Sequence, residues 1–152
     1  MNQLMLSQEE GAFRALGVAC QSAARYYETA AEVTEGDWQR FVRERAASYA
    51  EAARRITELL KQDEVLPGSP DADMEWLKQI ALRAQAAISG DEAGSLLKSF
   101  ARTEHKVWDA LGDLGHAGMS PAHADAASDL GRIVMDGFLW LGKEKQGFLN
   151  GG

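Results

Sequence analysis

The chain has 152 residues, of which 45% are hydrophobic and 26% charged, a composition typical of one globular domain with a substantial core. Its net charge of −7 argues against DNA or RNA as a general partner, because neutralising phosphates needs a basic surface. The one cysteine excludes an intrachain disulfide, and no apolar run approaches the roughly 18 residues of a membrane span. We therefore expect a single domain over 1–152 that is cytoplasmic and has no membrane association.

The first two predicted helices form a pair. Ser7 and Glu10 have the spacing of a capping box and predict a helix over about 7–33. Asp37 can cap a second helix over about 37–61, and the short connection predicts antiparallel packing. Apolar residues recur three or four apart in both helices. These stripes are Phe13, Leu16, Cys20, Ala24, Tyr27 and Ala31 in the first helix, and Trp38, Val42, Tyr49, Ala52, Ile56 and Leu60 in the second.

Three further helices are predicted after a loop that contains Pro67 and Gly68. Ser69 and Pro70 begin a helix over about 70–89, and Ser120 and Pro121 begin the last one, over about 120–146. Between them lies a helix over about 91–114. Its predicted inner face comprises Leu97, Phe100, Val107, Trp108 and Leu111.

The order of the elements is therefore helix pair, single helix, helix pair. Two antiparallel hairpins joined by a long connection match the ferritin-like four-helix bundle, in which one crossover travels the length of the bundle. We predict this all-α fold, with an additional crossover helix between the second and third bundle helices. An irregular array of five helices is the alternative.

The most informative residue is Glu104, because the predicted inner face of its helix lies within about 60° of it. A carboxylate in the middle of an apolar stripe must be paired, protonated or bound to a metal. Arg45 is the matching exception in the second helix, where Tyr49 follows it by one turn. We predict a buried polar cluster of Glu104, Arg45, Tyr49, Glu28 and Tyr27. Of these, Glu28 lies about 60° from the centre of its stripe and could instead face solvent.

Two segments carry a resemblance to a known family. They are Arg25 to Glu32, with the sequence RYYETAAE, and Trp76 to Gly90 followed by Arg102, Thr103 and Glu104. Together with the helix order, they resemble bacterial ferritin-like proteins of unknown function, a group distantly related to rubrerythrins and bacterioferritins. The likeness is one of pattern and covers most of the chain.

The resemblance implies a di-iron site, but the ligand pattern is incomplete. Di-iron members use one Glu from each of two helices and a Glu-x-x-His from each of the other two. Glu28 and Glu104 match the single glutamates. Glu44 is followed three residues later by Ala47 in place of His, and Leu130 to Leu141 contains neither Glu nor His. We therefore expect no cofactor, with iron or another divalent metal on Glu28 and Glu104 as the alternative.

The other residues of catalytic type give weaker signals. His105 points about 100° away from Glu104, so the two cannot share a site on one helix face. His116 is predicted in a turn, and His123 near the start of the last helix is interpreted as structural. Cys20 lies among apolar residues, where a thiol is usually inert.

Aromatic residues leave the last helix apolar on more than one side. Phe138, Trp140 and Phe148 either contact the crossover helix or form a homodimer surface, since exposed aromatic patches commonly mark interfaces. From the scaffold and its incomplete ligand set we expect a protein that is not an enzyme and that acts through self-association or a protein partner. A metal-binding or oxidative-stress protein, and a small-molecule binder in the bundle interior, are the alternatives.

Overall fold

The structure is a computed structural model that describes residues 6–68 and 93–150, including all of their side chains except those of residues 93, 95 and 145–150. It contains four helices: α1 (Gln8–Ala31), α2 (Gly36–Gln62), α3 (Ala93–Ala117) and α4 (Pro121–Asn150). The all-helical prediction is thus confirmed for the described residues. The predicted crossover helix, 70–89, lies outside them. Within the described ranges, no helix is both long enough and apolar enough to cross a membrane.

The helix ends follow the local sequence in part. Ser7 caps α1 and forms the predicted capping box with Glu10, each side chain bonded to the other's backbone N–H at 3.0 Å. Asp37 was predicted to cap α2, but it lies within the first turn of that helix, and Glu35 occupies the cap position without a side-chain hydrogen bond. Gly36, between the cap residue and Asp37, has a φ of +64°, a conformation that glycine adopts without strain.

Contacts along the helices define the topology. α1 and α2 are antiparallel, since Gly17 faces Ile56 while the Gln39 side chain donates to the Ala31 carbonyl. α1 and α3 are also antiparallel, because Tyr26 bonds to Ser99 at one end while Glu9 accepts from the Ser120 N–H, just after α3, at the other.

It follows that α2 and α3 run parallel. The end of α2 and the start of α3 consequently lie at opposite ends of the bundle, and the connection between them has the full length of the bundle to travel. α4 returns antiparallel to α3 and closes the bundle against α2, with Phe41 of α2 stacked on Trp140.

The core follows the predicted stripes closely in α1, where all six predicted residues are buried. Trp108 in α3 departs from the prediction and is 44% exposed. It lies at the edge of the α3 stripe, and its ring meets that of Phe138 of α4 edge-on, with ring centres 6.4 Å apart. The largest fully buried side chains are Tyr26, Tyr27, Tyr49, Phe13, Phe100, Leu16, Ile56, Leu60, Leu96, Leu114, Leu130 and Glu104.

Candidate functional site

A polar cluster occupies the interior of the bundle, and Glu104 of α3 is its centre. The Glu104 side chain has no solvent exposure. Its Oε1 accepts hydrogen bonds from Arg45 Nη2 and, at 2.5 Å, from the Tyr49 hydroxyl. Its Oε2 accepts from the Tyr27 hydroxyl. Both carboxylate oxygens are therefore satisfied by side chains of this chain, as a buried charge requires.

Helix α2 supplies two of the three donors from consecutive turns. Arg45 and Tyr49 are four residues apart and share one helix face, and Arg45 Nη2 also donates to the Tyr49 oxygen at 3.1 Å. The guanidinium carbon lies 5.1 Å from the Tyr49 ring centre and 5.9 Å from that of Phe41. These rings hold the cation in place while it faces Glu104.

Gly137 of α4 provides the space for this ion pair. A Cβ at this position would lie 2.5 Å from Glu104 Oε1 and 2.6 Å from Arg45 Nη2. Only a residue without a side chain lets the α4 backbone approach so closely. Our sequence reasoning did not identify Gly137. The available signal was a glycine in the middle of a long helix, which usually has a packing or functional reason.

The buried charge changes the acidity of its neighbours. Burial, followed by the Glu104 carboxylate, raises the pKa of the Tyr27 hydroxyl well above its usual value, and the same two causes raise the pKa of Tyr49. For Arg45, burial alone would lower the pKa, but Glu104 and the tyrosines outweigh it and the pKa is raised. The two hydroxyls are thus fixed as neutral donors and the guanidinium as a cation.

The structure brings four of the predicted cluster residues together, namely Glu104, Arg45, Tyr49 and Tyr27. Glu28 is exposed and lies apart from them, so its predicted place in the buried cluster is corrected. Glu28 instead borders a surface groove of about 430 Å³ between α1 and α2. Its position at the edge of the α1 stripe made both placements compatible with the helical period.

The residues present do not fit the di-iron centre that the resemblance implies. Glu28 and Glu104 do not share a site, and the Arg45 guanidinium lies against the carboxylate that a metal would need. In residues 6–68 and 93–150, no group of three or more His, Cys, Asp or Glu side chains is arranged to hold a metal ion. A cation beside Arg45 would be repelled by the guanidinium charge.

The aromatic residues of α4 divide between core and surface. Trp140 stacks on Phe41 with ring centres 3.7 Å apart and also meets Trp38 edge-on, so it packs mainly inside the bundle. Phe138 is half-buried between His105 and Trp108. The side chain of Phe148 lies outside the described residues. Trp140 is therefore not the centre of an exposed surface.

The remaining predicted residues are widely separated. His105 and His116 are exposed on α3. Cys20 is buried, and burial followed by the Glu104 carboxylate raises the pKa of its thiol to about 12, which removes its nucleophilic form at neutral pH.

A second groove, of about 470 Å³, opens between α2 and α4, where Arg55 pairs with Asp129. Neither groove includes Glu104 or Arg45 in its lining.

Chemically, the Glu104 cluster is suited to holding four helices in register. The Glu104 oxygens are bonded to Arg45 Nη2 and to the hydroxyls of Tyr27 and Tyr49, and Glu104 has no surface at which a substrate could reach it. Comparison of the chain with protein-family models, with curated proteins and with solved structures found no match.

Proposed function

We propose that this chain is a helical-bundle protein of ferritin-like layout that is not an enzyme and acts through association, with a second copy of itself or with a protein partner. The observation that carries the proposal is the state of Glu104. A carboxylate at the centre of such a bundle is the natural place for metal chemistry, and here its oxygens are bonded to Arg45, Tyr49 and Tyr27.

The ferritin-like layout is supported by the parallel course of α2 and α3. Because α2 and α3 are parallel, the two antiparallel hairpins must be joined by a connection as long as the bundle. The one-crossover class of four-helix bundles has this arrangement. Within this layout, Arg45 supplies the positive charge that neutralises the central carboxylate. The scaffold would then be maintained by its own side chains.

The surface that supports association lies along α3 and α4. Trp108, Met135 and Leu139 are 44%, 46% and 61% exposed, and Phe138 lies beside Trp108. Met135 and Leu139 are one helical turn apart, which places them on the same side of α4. Exposed large apolar side chains that cluster in this way commonly mark a protein interface.

The oligomeric state of the purified protein tests the proposal. Sedimentation velocity between about 1 and 50 µM should show a dimer, and Leu139→Glu should shift it to a monomer with unchanged helical circular dichroism. Leu66→Glu is the matched control, because Leu66 is 82% exposed in the loop after α2. A wild-type monomer throughout would contradict self-association and leave a protein partner as the remaining form of the proposal.

Metal analysis tests the proposal that Arg45, and not a metal ion, neutralises Glu104. Protein purified without chelators should contain no stoichiometric iron, manganese or zinc, and adding these metals should not raise its melting temperature. A stoichiometric metal that Glu104→Gln removes would contradict the role proposed for the Arg45 pair.

A further inference from the structure

A second buried polar cluster lies at the opposite end of α4 from Trp140. Its centre is His123, in the first turn of α4, whose side chain is only 5% exposed. The imidazole stacks on Phe13 of α1, with ring centres 3.9 Å apart and an angle of 15° between the planes. The ring is thus held in one orientation by the core.

Each nitrogen of this ring faces a carboxylate from a different part of the chain. Nδ1 lies against Oε2 of Glu9, in the first turn of α1. Nε2 lies 3.5 Å from Oδ2 of Asp63, the residue after α2. In the described part of the chain, these are the acidic groups within 4.0 Å of the ring nitrogens.

Glu9 also holds the turn between α3 and α4. Both of its oxygens lie 3.1 Å from the Ser120 backbone N–H, and Gly118 in this turn has a φ of +103°. The Ser120 N–H lowers the pKa of Glu9; burial opposes this effect, and the Ser120 hydroxyl and His123 add to it. The Glu9 carboxylate therefore stays charged well into the acidic range.

The arrangement suits a charged imidazole better than a neutral one. An imidazolium carries N–H on both nitrogens and can donate to both carboxylates at once, whereas a neutral ring has one N–H and presents a lone pair to the other carboxylate. The two carboxylates face different nitrogens of the ring, and these three side chains do not form a group that could hold a metal ion.

We propose that His123 is a pH-sensitive latch that holds the α3–α4 turn against the start of α1 and the end of α2. While His123 is protonated, Glu9 and Asp63 both bind it and the latch is closed. When the proton leaves as the pH rises, one of the two contacts is lost and the first turn of α4 loosens. Opening exposes Phe13, which is fully buried in the closed form.

The sign of the effect follows from the charge. The stabilisation belongs to the protonated ring, so it is present at low pH and is lost as the pH rises. The change of charge in this proposal belongs to the ring, since the pKa of Glu9 is lowered by the Ser120 N–H.

The experiment compares thermal unfolding of wild type, His123→Gln and His116→Gln at pH 6 and at pH 9. At pH 6 the wild type should melt about 3 °C or more above His123→Gln, and at pH 9 the difference should fall by at least half. His116→Gln is the control, because His116 is an exposed histidine at the same end of the bundle; it should follow the wild type at both pH values.

Hydrogen exchange locates the effect. After correction for the intrinsic pH dependence of exchange, peptides within 119–130 should lose protection in the wild type between pH 6 and pH 9, whereas peptides within 41–56 should not. Should His123→Gln fail to fold, Asp63→Asn replaces it, since Asp63 is half-exposed and tolerates substitution better. Asp63→Asn should lower the melting temperature more at pH 6 than at pH 9. A difference in melting temperature between wild type and variant that is the same at pH 6 and pH 9 would overturn the latch.

Discussion

Gly137 lies against Arg45 so closely that an added Cβ would be 2.6 Å from one guanidinium nitrogen and 2.9 Å from the guanidinium carbon. Neither group can easily give way. The guanidinium is fixed by Glu104 and Tyr49, and the α4 backbone is fixed by the buried residues around it. The ion pair and the glycine therefore depend on each other.

Gly137→Ala should destabilise the protein by about 2 kcal/mol, because the methyl group forces the ion pair or the helix to move. Gly131→Ala is the matched control, since Gly131 is in the same helix and nothing lies within 4 Å of its added Cβ. The control should be neutral or up to about 1 kcal/mol more stable, because alanine favours helix. Urea unfolding measures both, and equal effects in the two variants would contradict the account.

Glu104 should be far less tolerant of truncation than of neutralisation. Glu104→Ala leaves a cavity and a buried, unpaired Arg45, and should lower the free energy of unfolding by about 3 kcal/mol or more. Glu104→Gln keeps the shape and some hydrogen bonds, so its loss should be clearly smaller.

Glu28→Ala is the control for this pair, since Glu28 is exposed, and it should change stability by less than about 0.5 kcal/mol. A Glu104→Ala variant that is as stable as this control would show that the central network contributes little.

Tyr27 and Tyr49 should remain protonated at pH values where exposed tyrosines ionise. Burial and Glu104 raise the pKa of both hydroxyls in the folded state. A group whose folded pKa is raised stabilises the fold below its unfolded pKa, about 10 for tyrosine, and that contribution is lost as the pH rises above this value. Absorbance at 295 nm should therefore show their phenolates appearing together with unfolding. The double variant Tyr27→Phe, Tyr49→Phe should lack this increase in absorbance on unfolding. Ionisation of both tyrosines in protein that is still folded would contradict the burial argument.

Cys20 should react very slowly with thiol reagents in the native protein. Its pKa of about 12 leaves almost no thiolate at pH 8, and the side chain has no exposed surface. Reaction with an aromatic disulfide should be at least about a hundredfold slower than in guanidinium chloride, where the pKa returns to about 8.5. A native rate that approaches the unfolded rate would mean that α1 opens frequently near Cys20.

The sequence predicted the centre of the site better than its boundaries. Glu104 could be identified because a charged residue in the middle of an apolar stripe remains on that face for any reasonable packing of the helix. Arg45 and Tyr49 followed because side chains four residues apart share a face. At the edges of stripes, the neighbouring helix decides the outcome. Trp108 was predicted on the inner face and is exposed, and Glu28, for which both placements were left open, is exposed as well.

Two other features depend on contacts between distant segments. The role of Gly137 arises from the length of an arginine on another helix, and the surroundings of His123 come from the ends of α1 and α2. Helical periodicity describes one helix at a time, so neither arrangement could be derived from it. The sequence did place His123 near the start of α4, but it did not indicate the two acidic partners.

The position of Glu104 in the chain has a consequence for synthesis on the ribosome. Arg45 precedes its partner by 59 residues and Tyr27 by 77. At about 5 to 20 residues per second, Arg45 emerges about 3 to 12 s before Glu104. During that interval, the nascent hairpin of α1 and α2 presents a cation and two tyrosines with no carboxylate to bind. These three side chains therefore lack their carboxylate partner until α3 has left the exit tunnel.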